Sequence, residues 1–213
     1  MGAPMNDLSL LETRVLGTLV DKQHTVPDTY PLTLNALVSG CNQKTSRSPV
    51  MEATEPEVQA TLDGLKRRNL VIESSGSRVA RYAQNVDAVL KVPSQSVAIL
   101  TVLMLRGPQT PGELRINCER LHRFADLSAV EAFLQELAAR PAGALVVQLA
   151  RLPGARESRW AHLLSGTPTA DTIPKERDTR DEIAGKSDLE ARVARLESEL
   201  ADLRAAVDKL RLQ

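Results

Sequence analysis

One pattern of residues occurs twice in this chain, and an internal repeat constrains a fold more tightly than any single element does. In TEPEVQATLDGLKRRNLVIES, Val58, Leu62 and Leu65 stand at helical spacing, and in DLSAVEAFLQELAARPAGALVVQLA the spacing recurs at Val130, Leu134 and Leu137. Both helices run into β-branched stretches, Leu70–Glu73 and Leu145–Leu149, each followed by a Gly-containing turn and a second short strand. The returning strands share a signature, since Arg81-Tyr82-Ala83 matches Arg159-Trp160-Ala161.

Two more helices precede this unit in each copy. The first opens at Ser9 with Glu12 three residues on, a capping box, and carries Leu11, Val15, Leu16 and Leu19 on one face; its counterpart is Ser96–Arg106. The second helix is expected near Leu32–Gly40 and, in copy two, at TPGE, where Thr110 caps, Pro111 suits the first turn and Glu113 closes the box. Gly40 and Gly107 read as stop signals, and the third helices carry the patterns Thr54…Glu57 and Ser128…Glu131. Helix, helix, helix, hairpin is the order of a winged helix. The expected fold class is therefore mainly α with small β hairpins (α+β), with one winged-helix unit over residues 1–86 and a second over 87–165.

Beyond Leu164 the composition changes. Residues 166–187 are rich in Gly, Pro, Thr and charge, the signature of a flexible linker. Residues 188–213 carry a seam of Leu189, Val193, Leu196, Leu200, Leu203, Val207 and Leu210 at alternating spacings of four and three. Valine and leucine at a with leucine at d favour a parallel two-stranded coiled coil, and Arg192 facing Glu197 and Glu199 facing Arg204 across it would attract. A homodimer is the expected state; the alternative is an amphipathic helix packed on its own chain.

Twenty-seven basic and 27 acidic side chains cancel, so no global field draws in nucleic acid or an anionic membrane. The longest apolar run, about nine residues at Val97–Leu105, is less than half of a bilayer span, so no membrane is expected as a partner. The amino terminus shows no secretory pattern and there are only two cysteines, Cys41 and Cys118, which points to a cytoplasmic protein. Five aromatic residues, Tyr30, Tyr82, Phe124, Phe133 and Trp160, are too few for a base-stacking platform.

Catalytic constellations are missing. His24, His122 and His162 are scattered, the cysteines are isolated, and no metal-ligand spacing, phosphate-cradling glycine loop or nucleophile elbow occurs. The expectation is a protein that is not an enzyme, with no cofactor and no metal. His122 with Glu119 and Asp126 lacks a nucleophile or a second base, and reads as a helix filler.

The segments LLETRVLGTLVDKQHTVPDTYPLTLNALVSGCNQKTSRSPV, LMLRGPQTPGELR, RLHRFADLSAVEAFLQEL and LARLPGARESRWAHLLSG closely resemble the bacterial YceH-like family, a group of domains of unknown function. The resemblance covers about residues 8–166, and YPLTLNAL, CNQK and RGPQTPGELR are its most specific motifs. It implies a tandem winged helix from a bacterial cytoplasm. It implies no activity and no site residues.

Winged helices often set helix three in a major groove and the wing on the backbone, so double-stranded DNA is the first expected partner. Fold analogy does not establish it. Lys44, Arg47, Lys66, Arg67, Arg78 and Arg81 are the candidate phosphate contacts, while Asn42 and Gln43 would approach bases or a partner's backbone. Against this, helix three begins Glu55-Pro56-Glu57 in one copy and carries Glu131 and Glu136 in the other, which would face phosphate. Residues 1–86 hold nine basic and nine acidic side chains, and residues 87–165 nine and seven. Arg115, Arg120, Arg123, Arg151, Arg156 and Arg159 are the second copy's candidate patch. The alternative function is a protein-interaction adaptor. Tyr30 reads either as a staple onto helix two or, with Asn35, Asn42 and Gln43, as part of a polar recognition surface.

Overall fold

A computed structural model describes residues 7–74, 79–151 and 154–168. Helix α1 (Leu10–Thr25) starts where Ser9 and Glu12 predict: Ser9 Oγ accepts from the Glu12 N–H at 3.1 Å, and the Glu12 carboxylate accepts from the Ser9 N–H at 2.7 Å. Its middle is unlike a surface helix, because every residue from Thr13 to Val20 is buried. The main partner is α5 (Ser94–Arg106), which is likewise buried from Ser96 to Leu105. Gly17 makes their close approach achievable, since a Cβ there would lie 2.8 Å from Leu105 Cδ2.

In the first copy α1 is followed by β1 (Leu32–Thr33), α2 (Leu34–Cys41), α3 (Glu55–Arg67), β2 (Val71–Ser74) and β3 (Arg81–Gln84). The strands form an antiparallel sheet in the order β1-β3-β2, with Leu32 opposite Tyr82 and Ile72 opposite Ala83. A short helix, α4 (Val86–Leu90), leads into α5. The second copy continues with α6 (Pro111–Asn117), α7 (Leu127–Ala138), β4 (Val146–Gln148) and β5 (Trp160–His162). An isolated bridge from Gln109 to Trp160 stands where β1 stands in copy one. The chain is thus mainly α with small antiparallel strand pairs.

The repeat is closer than the helix spacing suggests. Pro31-x-Thr33-x3-Leu37-x3-Cys41 is matched by Pro108-x-Thr110-x3-Leu114-x3-Cys118. Both threonines are helix N-caps, and both leucines and both cysteines are fully buried. The Arg-aromatic-Ala signature has a mechanical meaning: Arg81 Nη1 donates to the Pro31 carbonyl at 2.8 Å, and Arg159 Nη1 donates to the Pro108 carbonyl at 3.0 Å. Each returning strand is thereby pinned to the segment that enters helix two. The trios Val58, Leu62, Leu65 and Val130, Leu134, Leu137 all face the core.

Four local expectations are corrected. Leu32 and Thr33 belong to a strand, so α2 begins at Leu34. Gly40 does not end α2; it lies inside the helix, where a Cβ would come within 2.6 Å of Thr18 Cγ2. Helix α5 begins at Ser94, two residues early, with Pro93 as its N-cap. Asp126, not Ser128, caps α7, because its carboxylate accepts from the Ala129 N–H at 2.8 Å and also from the Ser128 hydroxyl. Gly107 ends α5 with φ of 79°, as expected.

Both copies lie in one compact unit. Backbone bonds tie them together, from the Leu8 N–H to the Leu164 carbonyl at 2.9 Å and from the Ser48 N–H to the Leu105 carbonyl at 2.8 Å. The heptad seam from Leu189 to Leu210, and the linker beyond Pro168, lie outside the described residues.

Candidate interaction surface

Four of the eight candidate contacts lie on the segment that joins α2 to α3. The Asn42 amide closes this loop on itself: Nδ2 donates to the Ala53 carbonyl and Oδ1 accepts from the Ala53 N–H, both at 2.8 Å. Gln43 accepts from Lys22 Nζ at 3.3 Å and donates to Thr45 Oγ1 at 3.0 Å. Arg47 points inward. Its side chain is 2% exposed and donates to Asp21 at 2.8 Å, to the Ser46 carbonyl and to the Gly40 carbonyl. Lys44 alone of the four is exposed and makes no hydrogen bond or ion pair among the described residues.

Arg47 has a companion that the sequence did not single out. Arg14, on α1, is fully buried and donates to the Cys41 carbonyl at 3.0 Å and the Pro49 carbonyl at 2.6 Å. The last carbonyls of a helix have no partner within it and carry the negative end of its dipole. Arg14 and Arg47 therefore cap α2 from inside the protein and hold the following loop against it. Burial, with the Arg47 charge close by, pushes the Arg14 guanidinium below its ordinary pKa. When Val15, Leu16, Leu19 and Val20 are set on Ile99, Leu100, Leu103 and Met104, Arg14 falls on Ala98. A lone cation among buried neighbours was the available signal.

At the end of α3, Lys66 lies between Asp63, at 2.8 Å, and Glu73, and these two carboxylates raise its pKa. Arg68 forms a two-pronged pair with Asp7 at 2.7 and 2.8 Å. Arg67 is exposed with no ion pair of its own among the described residues, and Arg78 lies outside them. Arg81 is occupied by the Pro31 and Thr29 carbonyls. Tyr30 is half-buried and its hydroxyl accepts from the Gln84 N–H at 2.7 Å, which fastens β3 to the turn before α2. Five of the eight candidates are thus engaged within the protein, and Lys44 and Arg67 face solvent.

The start of α3 and the exposed face of α7 carry the opposite charge. Glu55 and Glu57 are exposed at the start of α3, and Glu131 and Glu136 are exposed on α7. In the second copy, Arg115, Arg120, Arg123, Arg151 and Arg156 are exposed, whereas Arg159 is paired with Glu113 at 2.8 Å. Ile116, next to Arg115 in the sequence, is 72% exposed.

Among the described residues no group of three His, Cys, Asp or Glu could hold a metal ion. Burial pushes both thiols up, Cys118 to about 12, which keeps them protonated. His122 packs edge-on against Phe124 at a ring separation of 4.8 Å. Among the described residues no helix is long and apolar enough to cross a membrane.

Comparison with known proteins places residues 8–155 under the family described as "Protein of unknown function, DUF480". A UPF0502 protein of Dechloromonas aromatica (strain RCB) is 62% identical over 198 residues, covering 93% of this chain and 93% of that protein. A UPF0502 protein of Burkholderia pseudomallei (strain 668) is 56% identical over 207 residues, covering 96% and 88%. One from Burkholderia vietnamiensis (strain G4 / LMG 22486) is 56% identical over 210 residues, covering 97% and 89%.

Proposed function

Since the chain belongs to the DUF480/UPF0502 family of uncharacterised bacterial proteins, no activity comes with its membership, and we propose from its surfaces that it is a protein-interaction adaptor. In this reading it is a non-enzymatic cytoplasmic protein of two winged-helix units, and the seam from Leu189 to Leu210 joins two chains in a parallel homodimer. The observation that carries the adaptor role is the charge of helix three. In a winged helix that element would enter the major groove, and both copies turn carboxylates to solvent there, Glu55 and Glu57 on α3 and Glu131 and Glu136 on α7. A phosphate wall repels such a face, whereas a protein partner need not.

A second reading keeps double-stranded DNA as the partner. It rests on exposed cations that make no ion pair among the described residues, Lys44 and Arg67 in copy one and Arg120, Arg123, Arg151 and Arg156 in copy two. Selection of the full-length protein against a random duplex library, at low and near-physiological salt, separates the two. The adaptor reading expects no enriched motif and only weak binding that salt erases. An enriched motif, above all a two-fold one, would overturn it in favour of sequence-specific regulation.

A further inference from the structure

We propose that Ile116, with Arg115, Arg120 and Arg123 around it, is the docking surface of the second copy, and that its occupant is an acidic peptide segment bearing an apolar side chain that covers Ile116. This deepens the adaptor reading and rests on it.

Ile116 is the most exposed large apolar side chain among the described residues. Single exposed apolar residues are common, so exposure alone carries little. The internal repeat carries more. With the caps Thr33 and Thr110 aligned, Ile116 falls on Ser39 and Arg115 on Val38. Ser39 is also exposed. The same fold is therefore completed in copy one with a hydroxyl at this place, and nothing in the packing of α6 calls for isoleucine.

The arginines share the surface because the chain keeps winding beyond Asn117. The Glu119 N–H donates to the Ile116 carbonyl at 3.3 Å and the His122 N–H to the Cys118 carbonyl at 2.8 Å. Residues 116 and 120, four apart on this winding, then fall on one side, and Arg123 follows directly after it. Over residues 115–123 three arginines meet one carboxylate, Glu119. Asp126 lies close enough to Arg115 to feel its charge, but its carboxylate is committed to the α7 cap. Arg120 and Arg123 make no ion pair among the described residues.

An apolar anchor inside a cationic rim states what it fits. A DNA backbone would answer the arginines and leave the isoleucine in water. A segment with Asp or Glu on either side of a Leu, Ile or Phe answers both, the carboxylates setting register and the apolar side chain supplying the anchor.

The test is selection of the full-length protein against a displayed library of random 15-residue peptides, followed by fluorescence anisotropy of an enriched peptide at low and high salt. The expected peptides carry the acidic and apolar pattern. Ile116→Ser, which installs the residue of copy one, should weaken binding roughly tenfold while leaving the salt dependence intact. Arg120→Glu with Arg123→Glu should weaken it further and flatten the salt dependence. All three positions are solvent-facing, and an unchanged melting curve verifies that each variant is folded. Enriched peptides that ignore both sets of substitutions would overturn this surface and leave the adaptor reading standing. An empty selection would overturn the surface too. Duplex binding that is lost in the arginine variants and untouched by Ile116→Ser would overturn both the surface and the adaptor reading.

Discussion

A guanidinium or an amide is a reagent whose use depends on what it meets. Arg47 and Asn42 have the side chains that contact nucleic acid elsewhere, yet here they complete the bonding of α2 and of the loop after it. Arg14 does the same from inside the protein, with one carbonyl at the end of α2 and one in the following loop in place of a carboxylate partner. His162 shows the same dependence on surroundings. Its Nδ1 is buried with no hydrogen-bond partner among the described residues, and burial pushes its pKa from the ordinary 6.5 down to about 4. The unfolded chain therefore takes up this proton before the folded protein does. His162 contributes its full stability above about pH 6.5, and that contribution is lost as the pH falls toward 4. Chemical denaturation should show a decline of no more than about 3 kcal/mol across this window. The His162→Phe variant should lose that slope. The capping carboxylates Glu57 and Asp126 are held below their ordinary values, by Thr54 and by Ser128 with the Ala129 N–H, so their loss falls at lower pH and leaves the histidine window readable.

Among the elements, the repeat unit is built from caps and close approaches. Ser9, Thr54 and Thr110 each form a capping box with the glutamate three residues on, and all three were legible because the motif is local. Glycines were less legible, since a helical glycine reads as a stop until its neighbours are known. Gly17 and Gly40 are contact points, whereas a Cβ on Gly64 in α3 would meet Glu12 Oε1 at 3.6 Å and Arg67 at 3.9 Å, ordinary contact distances. Gly17→Ala should therefore destabilise the protein by about 1–3 kcal/mol through its collision with Leu105. Gly64→Ala should stabilise it by about 0.5–1 kcal/mol through helix propensity. Urea unfolding of the two variants gives shifts of opposite sign if α1 and α5 touch as described, and shifts of the same sign if they do not.

For the molecule as a whole, the two copies share one core because α1 and α5 bury each other. The Leu189 to Leu210 seam remains a proposal, and it belongs to this scale because its effect is the number of chains. Leu196→Lys with Leu203→Lys in the full-length chain should halve the mass measured by light scattering, without changing the melting of the compact unit. An unchanged mass would remove the coil from the assembly.

What the sequence determined by itself is everything that short-range chemistry controls: the three-helix and hairpin order, the capped starts of α1, α3 and α6, and the apolar trios that face the core. These follow from spacing and from hydrogen bonds that span three or four residues. Only the tertiary structure decided what the polar side chains are for. Arg14 meets Cys41 and Pro49, and Arg81 meets Pro31, across separations of 27, 35 and 50 residues. A charged side chain is free for a partner only when no carbonyl or carboxylate brought in from elsewhere has already taken it, and that is settled by packing.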